Sequence, residues 1–246
     1  VQKKARVGAV SYLNTKPLIY GFENGLMIDK VDLIIDYPSR IAKMLLKNEI
    51  DVGLVPVAII PEMKEHYIIS DYCIGSTGQV GSVCLFSDVP LYDIETILLD
   101  YQSRTSVALL KVLVKEYWKL NASFENTFRD FQSEIKGTAA GLIIGDRALI
   151  QRAKSRFIFD LGEEWKNFTD LPFVFAVWVS NKKLDDDFIK EFNEANKFGL
   201  SNLEKVVVKN PFKPFDLHKY YTECINFELD ENKKKGLELF LKKIAK

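Results

Sequence analysis

The side chains able to do polar chemistry gather in four short stretches. Ser11, Tyr12, Asn14 and Thr15 follow an apolar run at residues 7–10. Ser76 and Thr77 lie in the glycine-dense segment 75–81. Ser103, Arg104, Thr105 and Ser106 follow an apolar run at 96–99, and Asp146 follows another at 140–144. Hydroxyls and a carboxamide are groups that hold an oxyanion. The first, third and fourth stretches each join a strand-like run to a helix-like one. At such a junction the free N–H groups and the macrodipole of the helix favour negative charge. The expected ligand is therefore a carboxylate or a phosphate, and the residue types do not name it. Helix capping is the plainer account, because Asn14, Thr15, Ser103 and Thr105 all sit where caps belong. The glycine segment reads as a tight turn before it reads as a ligand loop. Two features exceed capping: residues 103–106 bring three hydroxyls and an arginine to one helix start, and similar loops occur in both halves of the chain.

The familiar catalytic constellations are missing. The chain has two histidines, His66 and His218, neither in a candidate loop and both read as surface or structural residues. There is no HExxH or paired CxxC for a metal, no GxSxG elbow, and no GxxxxGK[ST] or GxGxxG for a nucleotide. Cys73, Cys84 and Cys224 are an odd set without redox spacing, Cys84 in an apolar run as a plain core thiol, so a reducing, cytoplasmic setting is expected. Lys+Arg and Asp+Glu both number 34, which gives no reason to expect nucleic acid or an acidic membrane as partner. No apolar run is long enough to span a bilayer, and no signal-peptide core is visible, the first residues leading directly into a strand. A hydrophobic fraction of 47% over 246 residues supports one large domain or two small lobes rather than disorder.

The elements that must position these residues alternate. Strands are expected at 7–10, 31–36 and 51–56. Between them come a helix opened by Pro17 and closed near Gly25, and a helix at 40–47 capped by Ser39. This spacing argues for a parallel sheet with right-handed crossovers. Short strands are expected at 66–69, 72–74 and 82–86, and a short helix at 57–62. A second β–α set then begins: strands at 96–100, 140–144 and 157–160, helices at 107–118 and 147–154, a polar connection at 121–126, and a helical turn at 163–167. A long apolar strand at 172–180 precedes helices at 185–207, 215–224 and 231–245. Lys233, Lys234 and Lys235 read as a solvated helix face.

Several stretches resemble one family in order: residues 10–18 (Val-Ser-Tyr-Leu-Asn-Thr-Lys-Pro-Leu), 51–56 (Asp-Val-Gly-Leu-Val-Pro), 74–78 (Ile-Gly-Ser-Thr-Gly), 103–107 (Ser-Arg-Thr-Ser-Val), 141–146 (Gly-Leu-Ile-Ile-Gly-Asp) and 171–178 (Leu-Pro-Phe-Val-Phe-Ala-Val-Trp). Together they resemble the MqnA family, the chorismate dehydratases of the futalosine route to menaquinone. The resemblance implies an α/β, two-lobed fold like that of type-2 periplasmic-binding proteins. Each lobe would be a mainly parallel sheet flanked by helices, with the ligand cleft between them. Lobe 1 would be 1–86 with 180–246 and lobe 2 would be 87–179, joined by crossover strands near 82–88 and 173–180. It also implies a substrate, the dicarboxylate chorismate. Dehydration removes the C3 hydrogen and the C4 hydroxyl and gives 3-[(1-carboxyvinyl)oxy]benzoate. Charge developing on the ring carboxylate calls for preorganised donors. On this reading Asn14 is catalytic, orienting the ring or assisting departure of the hydroxyl. Ser11, Tyr12, Thr15, Ser76, Thr77, Ser103, Arg104, Thr105, Ser106 and Asp146 bind substrate. The enolpyruvyl carboxylate or a bound water takes the proton, and neither metal nor organic cofactor is required. Two alternatives stay open: a solute-binding protein of the same fold for a small anion, and the sister 1,4-dihydroxy-6-naphthoate synthase. The sister's Ser-Pro-Cys-Pro-Asn-Asp type opening does not match Ser11-Tyr12-Leu13-Asn14-Thr15.

Overall fold

The computed structural model describes residues 4–245; Val1, Gln2 and Lys3, read as leading into the first strand, lie outside the described residues, as does Lys246. The chain begins β1 (Ala5–Val10), α1 (Lys16–Glu23), β2 (Val31–Asp36), α2 (Pro38–Leu46), β3 (Val52–Pro56) and β4 (Tyr67–Ser76). It continues β5 (Val83–Ser87), β6 (Thr96–Leu99), α3 (Arg104–Val112), β7 (Ser123–Asn126), β8 (Ala139–Ile144), α4 (Asp146–Gln151), β9 (Phe157–Asp160) and α5 (Leu161–Thr169). It closes with β10 (Phe173–Ser180), α6 (Asp186–Leu200), α7 (Leu203–Lys209), α8 (Leu217–Lys219), β11 (Asn226–Glu228) and α9 (Glu231–Ile244).

Two sheets result. One has the order β11-β4-β10-β3-β1-β2, the other β7-β6-β8-β5-β9. β1 runs parallel to β2 and β3, as the opening β–α alternation requires. The sheets are nevertheless mixed rather than mainly parallel. β10 is antiparallel to both β3 and β4, and β5 is antiparallel to both β8 and β9. The physical reason is the exchange between sheets: the chain leaves the first sheet after β4 and returns along β10 from the opposite end. β5 lies wholly in the second sheet and β10 wholly in the first, so the connections between sheets run through residues 77–82 and 161–172. β3, β5 and β10 are buried along their whole length, which explains their unbroken apolar sequences.

Several local expectations change. The stretch from Tyr67 to Ser76 is one strand that absorbs irregularities against β10, not two short ones. Residues 123–126, read as a connection, form the exposed edge strand β7. β11 is a second edge strand too short to announce itself. The long C-terminal helix is broken at Asn202, whose side-chain amide donates back to the Phe198 carbonyl. α2 starts at Pro38, so Ser39 lies in its first turn and does not cap it. Lys233 is not on a solvated face: it is fully buried, with its ammonium 2.8 Å from Asp230. Ser103 does cap its helix, accepting from the Ser106 N–H, and Gly25 follows α1 with a positive φ.

One packing contact sets the position of the first polar loop. A Cβ on Gly21 would lie 2.1 Å from the Ala195 carbonyl oxygen, and one on Gly199 would lie 1.8 Å from that of Pro17. α1 and α6 therefore meet backbone to backbone. That holds the N-terminal end of α1, and the loop preceding it, against a rigid support.

Candidate active site

A small cavity of ≈ 60 Å³ lies between the two sheets. From the first sheet it is lined by Val10 and Pro56, the last residues of β1 and β3, with Ile74, Phe175 and Ala176. Tyr12 and Asn14 reach it from the loop after β1. From the second it is lined by Ser82 and Val83, by Ser103, Thr105 and Ser106 at the start of α3, and by Ile144 and Gly145 at the end of β8. The carboxyl ends of strands in an open α/β sheet are where such a crevice forms. Its walls are apolar, with hydroxyls and one carboxamide, and no charged side chain is among the described residues that line it.

The Ser103 Oγ accepts from the Ser106 N–H at 3.0 Å. Ser106 and Thr105 are almost completely buried. Thr105 is not a cap. Its Oγ1 accepts from the Ala58 N–H at 3.1 Å, a bond from the second sheet's helix to the 3-10 turn after β3. Both Ser103 and Thr105 thus accept through oxygen from the protein, which leaves their own hydroxyl protons to donate elsewhere. Arg104 faces the other way. It pairs with Glu62 at 2.8 Å, both side chains about half exposed, and is corrected from ligand contact to surface ion pair. At about 100° per residue Arg104 lies about 200° round the helix from the inward Ser106, so it turns away from the cavity.

The first polar loop also divides. Asn14 and Tyr12 line the cavity. Thr15 does not; it is fully buried beneath the loop, with its hydroxyl 3.4 Å from the Asn14 Oδ1. Ser11 carries the β1–β2 ladder one residue further, its N–H on the Asp36 carbonyl, and is not among the lining residues. Neither Asn14 nor Thr15 makes a side-chain cap bond. The acceptor at this turn comes instead from across the cleft: the Asp146 Oδ1 accepts from the Leu13 N–H at 3.1 Å. Burial raises the Asp146 pKa, opposed by that N–H and by Lys16. Asp146 is therefore a tie between the sheets rather than a cavity residue.

The glycine segment is the end of β4 followed by a bent connection. The Val80 and Gly81 N–H groups both donate to Asp160, at 3.0 and 2.7 Å, and are committed there. Ser76 is buried with no partner for its hydroxyl, next to Gly162, and Thr77 is exposed to solvent. Neither lines the cavity.

Reasoning from types and spacing missed a second tie. The Tyr12 hydroxyl donates to the Gln102 Oε1, which also accepts from Arg147 at 3.0 Å. Arg147 grips the fully buried Asp100 carboxylate at 2.7 Å. Burial, reinforced by the Asp100 charge, pushes the Tyr12 phenol far above its ordinary value, so it stays a donor. Gly145, at φ +64, leaves no Cβ against the Tyr12 ring; one would lie 3.2 Å from it. The glycine that ends β8 was the available signal, and nothing local marks Gln102. His66 and His218 are exposed and Cys84 is a buried free thiol, as expected.

The family described as menaquinone biosynthesis matches residues 5–246. The chain belongs to that family. Among curated proteins it is similar to chorismate dehydratase of Thermus thermophilus, 27% identical over 259 aligned residues that cover 95% of this chain and 93% of the relative. Among solved structures it resembles a protein of Archaeoglobus fulgidus at a TM-score of 0.76 and 15% identity, covering 98% of this chain and 96% of that one. It also resembles a Candida albicans protein described as having the generic periplasmic binding protein fold, at a TM-score of 0.64 and 14% identity, covering 99% and 90%. The two-lobed α/β fold expected from the sequence is thus the fold of the chain.

Proposed function

We propose that the chain is a chorismate dehydratase, eliminating water from chorismate to give 3-[(1-carboxyvinyl)oxy]benzoate. The family match over residues 5–246 carries the reading, and the chorismate dehydratase relative supports it. The cavity is compatible with the chemistry. A carboxylate placed at the start of α3 meets unpaired first-turn N–H groups and the hydroxyl protons of Ser103 and Thr105, in surroundings where apolar walls strengthen each bond. Asn14, the one carboxamide in the cavity, is placed to orient the ring or to donate to the departing C4 hydroxyl. No protein base lines the cavity among the described residues, so the proton from C3 goes to the substrate's enolpyruvyl carboxylate or to a bound water. Loss of hydroxide from C4 then gives the aromatic ring, and the released proton and hydroxide leave as water. The two lobes, one built on each sheet and joined through residues 77–82 and 161–172, would close on the substrate. Ligand pockets usually measure about 300–1,000 Å³, so the ≈ 60 Å³ cavity must widen to admit the substrate. A cytoplasmic setting goes with the three free thiols.

The test is mass spectrometry of the protein incubated with chorismate. Loss of 18 mass units from the substrate, by the chemistry of dehydration, supports the enzyme. Chorismate recovered unchanged from a protein that binds it would establish a solute-binding protein.

A further inference from the structure

Tyr12 has its backbone in the first lobe and its side chain on the second. It follows β1, in the loop that carries Asn14. Its ring lines the cavity and lies on Gly145, where a Cβ would come within 3.2 Å of three ring atoms. Its hydroxyl donates to the Gln102 Oε1, 90 positions on, in the loop between β6 and α3. The ring therefore bridges the gap between the two sheets at the edge of the cavity.

The acceptor is held from several sides. Asp100, just after β6, is 2% exposed, and its carboxylate accepts from the Gln102 N–H at 2.9 Å and from the Ile144 N–H at 3.1 Å. The Arg147 Nη2 donates to both Asp100 oxygens, at 2.9 and 2.7 Å, and to the Gln102 Oε1 at 3.0 Å. The Arg147 guanidinium lies 5.4 Å from the centre of the Tyr101 ring, and the Tyr101 hydroxyl accepts from the Gln102 Nε2 at 3.0 Å. Both ends of the Gln102 amide are thus engaged, which fixes its oxygen as the acceptor that faces Tyr12. A buried carboxylate, an arginine and a carboxamide of one lobe present a single polarised oxygen to a single hydroxyl of the other.

The residues after Tyr12 show what this bond can control. The Leu13 N–H donates to Asp146 at 3.1 Å, and the Leu13 carbonyl accepts from the Tyr221 O–H at 2.9 Å. Asn14 follows at once and lines the cavity. The seat of Asn14 against the second lobe is therefore set by its two predecessors, through Gln102 and Asp146. When the lobes part, both of those bonds break together.

We propose that Tyr12 and Gln102 form a latch made only when the lobes close, and that Gln102, held by Arg147 and Asp100, is the positioning residue that acts through Tyr12 to set Asn14 against the substrate. The proposal rests on the chorismate dehydratase reading of the same cavity and deepens it. The ring that carries the latching hydroxyl also forms part of the cavity wall, so closing the latch and excluding water from the substrate are one event.

The experiment is a double-mutant cycle on the full chain with chorismate: Tyr12→Phe, Gln102→Leu and both together, with Gln102→Glu as the conservative rescue, and steady-state kinetics and thermal melts of each. Tyr12→Phe keeps the ring and removes only the hydroxyl. It should lower kcat/KM about three- to tenfold, as loss of one hydrogen bond does, with a melt near the parent's. Gln102→Leu should lose at least as much, and adding Tyr12→Phe to it should change little, because the hydroxyl then has no acceptor to lose. Gln102→Glu, whose carboxylate can accept from both Tyr12 and Arg147, should recover most of the activity that Gln102→Leu loses. Parental kcat/KM in Tyr12→Phe overturns the proposal, even where Gln102→Leu fails to fold. Additive losses in the double variant also overturn it, since the Tyr12 hydroxyl then acts elsewhere. So does a Gln102→Glu no better than Gln102→Leu, which marks a purely structural role for Gln102. A parent protein that does not turn over chorismate overturns the functional reading and the proposal together. An active parent with kinetically silent variants overturns the proposal alone.

Discussion

Thr105→Val is the most telling perturbation of the cleft. Valine keeps the shape and β-branching and replaces Oγ1 by a methyl group. One bond and one potential donor are lost at once. The Ala58 N–H loses its acceptor at 3.1 Å, and the cavity loses a hydroxyl donor. Thr105 is 2% exposed, so water does not take the acceptor's place while the cleft is closed. Leaving a buried donor unsatisfied costs about 1–3 kcal/mol. When the cleft opens, the Ala58 N–H can meet water, so most of this cost falls on the closed arrangement. At a factor of ten for each ~1.4 kcal/mol, the ratio of closed to open protein falls about five- to a hundredfold, and kcat/KM should fall by up to that factor. The melting temperature should fall only about 2–4 °C for each ~1 kcal/mol at this chain length. Arg104→Ala is the comparison. It removes another tie between the same two elements, but one about half exposed at both ends and worth roughly 0.2–1 kcal/mol, so activity should fall less than about fivefold. Chorismate kinetics and melts of the two variants decide the matter. Normal kinetics in Thr105→Val, or an equal loss in Arg104→Ala, would refute the assignment of Thr105 to the closed site.

Asn14→Asp is nearly isosteric but puts negative charge beside an anionic substrate; turnover should collapse while the melt stays near the parent's, and parental kcat would remove Asn14 from the mechanism. Small-angle scattering should show compaction when product is added, because two lobes joined by two connections close around a ligand; identical profiles with and without product would mean a rigid cleft. For Asp51, burial works to raise the carboxyl pKa, but the bonds from Arg6 at 3.1 Å and Lys182 at 2.8 Å outweigh it and hold the pKa below the usual range. A depressed folded-state pKa contributes stability that is present above the unfolded value of about 4 and is lost as pH falls through the folded one. Asp51→Asn should therefore lower the urea midpoint at pH 7, by an amount corresponding to about 1–2 kcal/mol after solvent screening, and matter progressively less below about pH 4; a loss that is the same at pH 7 and pH 3 would contradict this.

What local sequence could decide about this protein was the kind and order of its elements and the loops that matter. The unbroken apolar runs of β3 and β10 report burial on both faces, and the polar stretches after β1, β6 and β8 mark strand ends, because each pattern is imposed by neighbours within a few residues. The ordered motifs also carried the family. Tertiary structure decided where each side chain goes. Thr105 turns to the cleft and Arg104 to Glu62, although both stand at the same helix start. Asp146 ties down Leu13 across 133 positions, Asp160 takes the N–H groups of Val80 and Gly81, and Tyr220 donates to Ser82 across 138. Lys233, in a run of three lysines, is buried on Asp230. The edge strands β7 and β11 depend on a partner strand and have too little apolar sequence of their own to declare it. A hydroxyl in sequence is equally a cap, a tie or a ligand donor. Which of these it becomes depends on the group packed against its oxygen: for Ser103 a neighbour three residues on, for Thr105 the turn after β3, for Ser82 the far end of the chain.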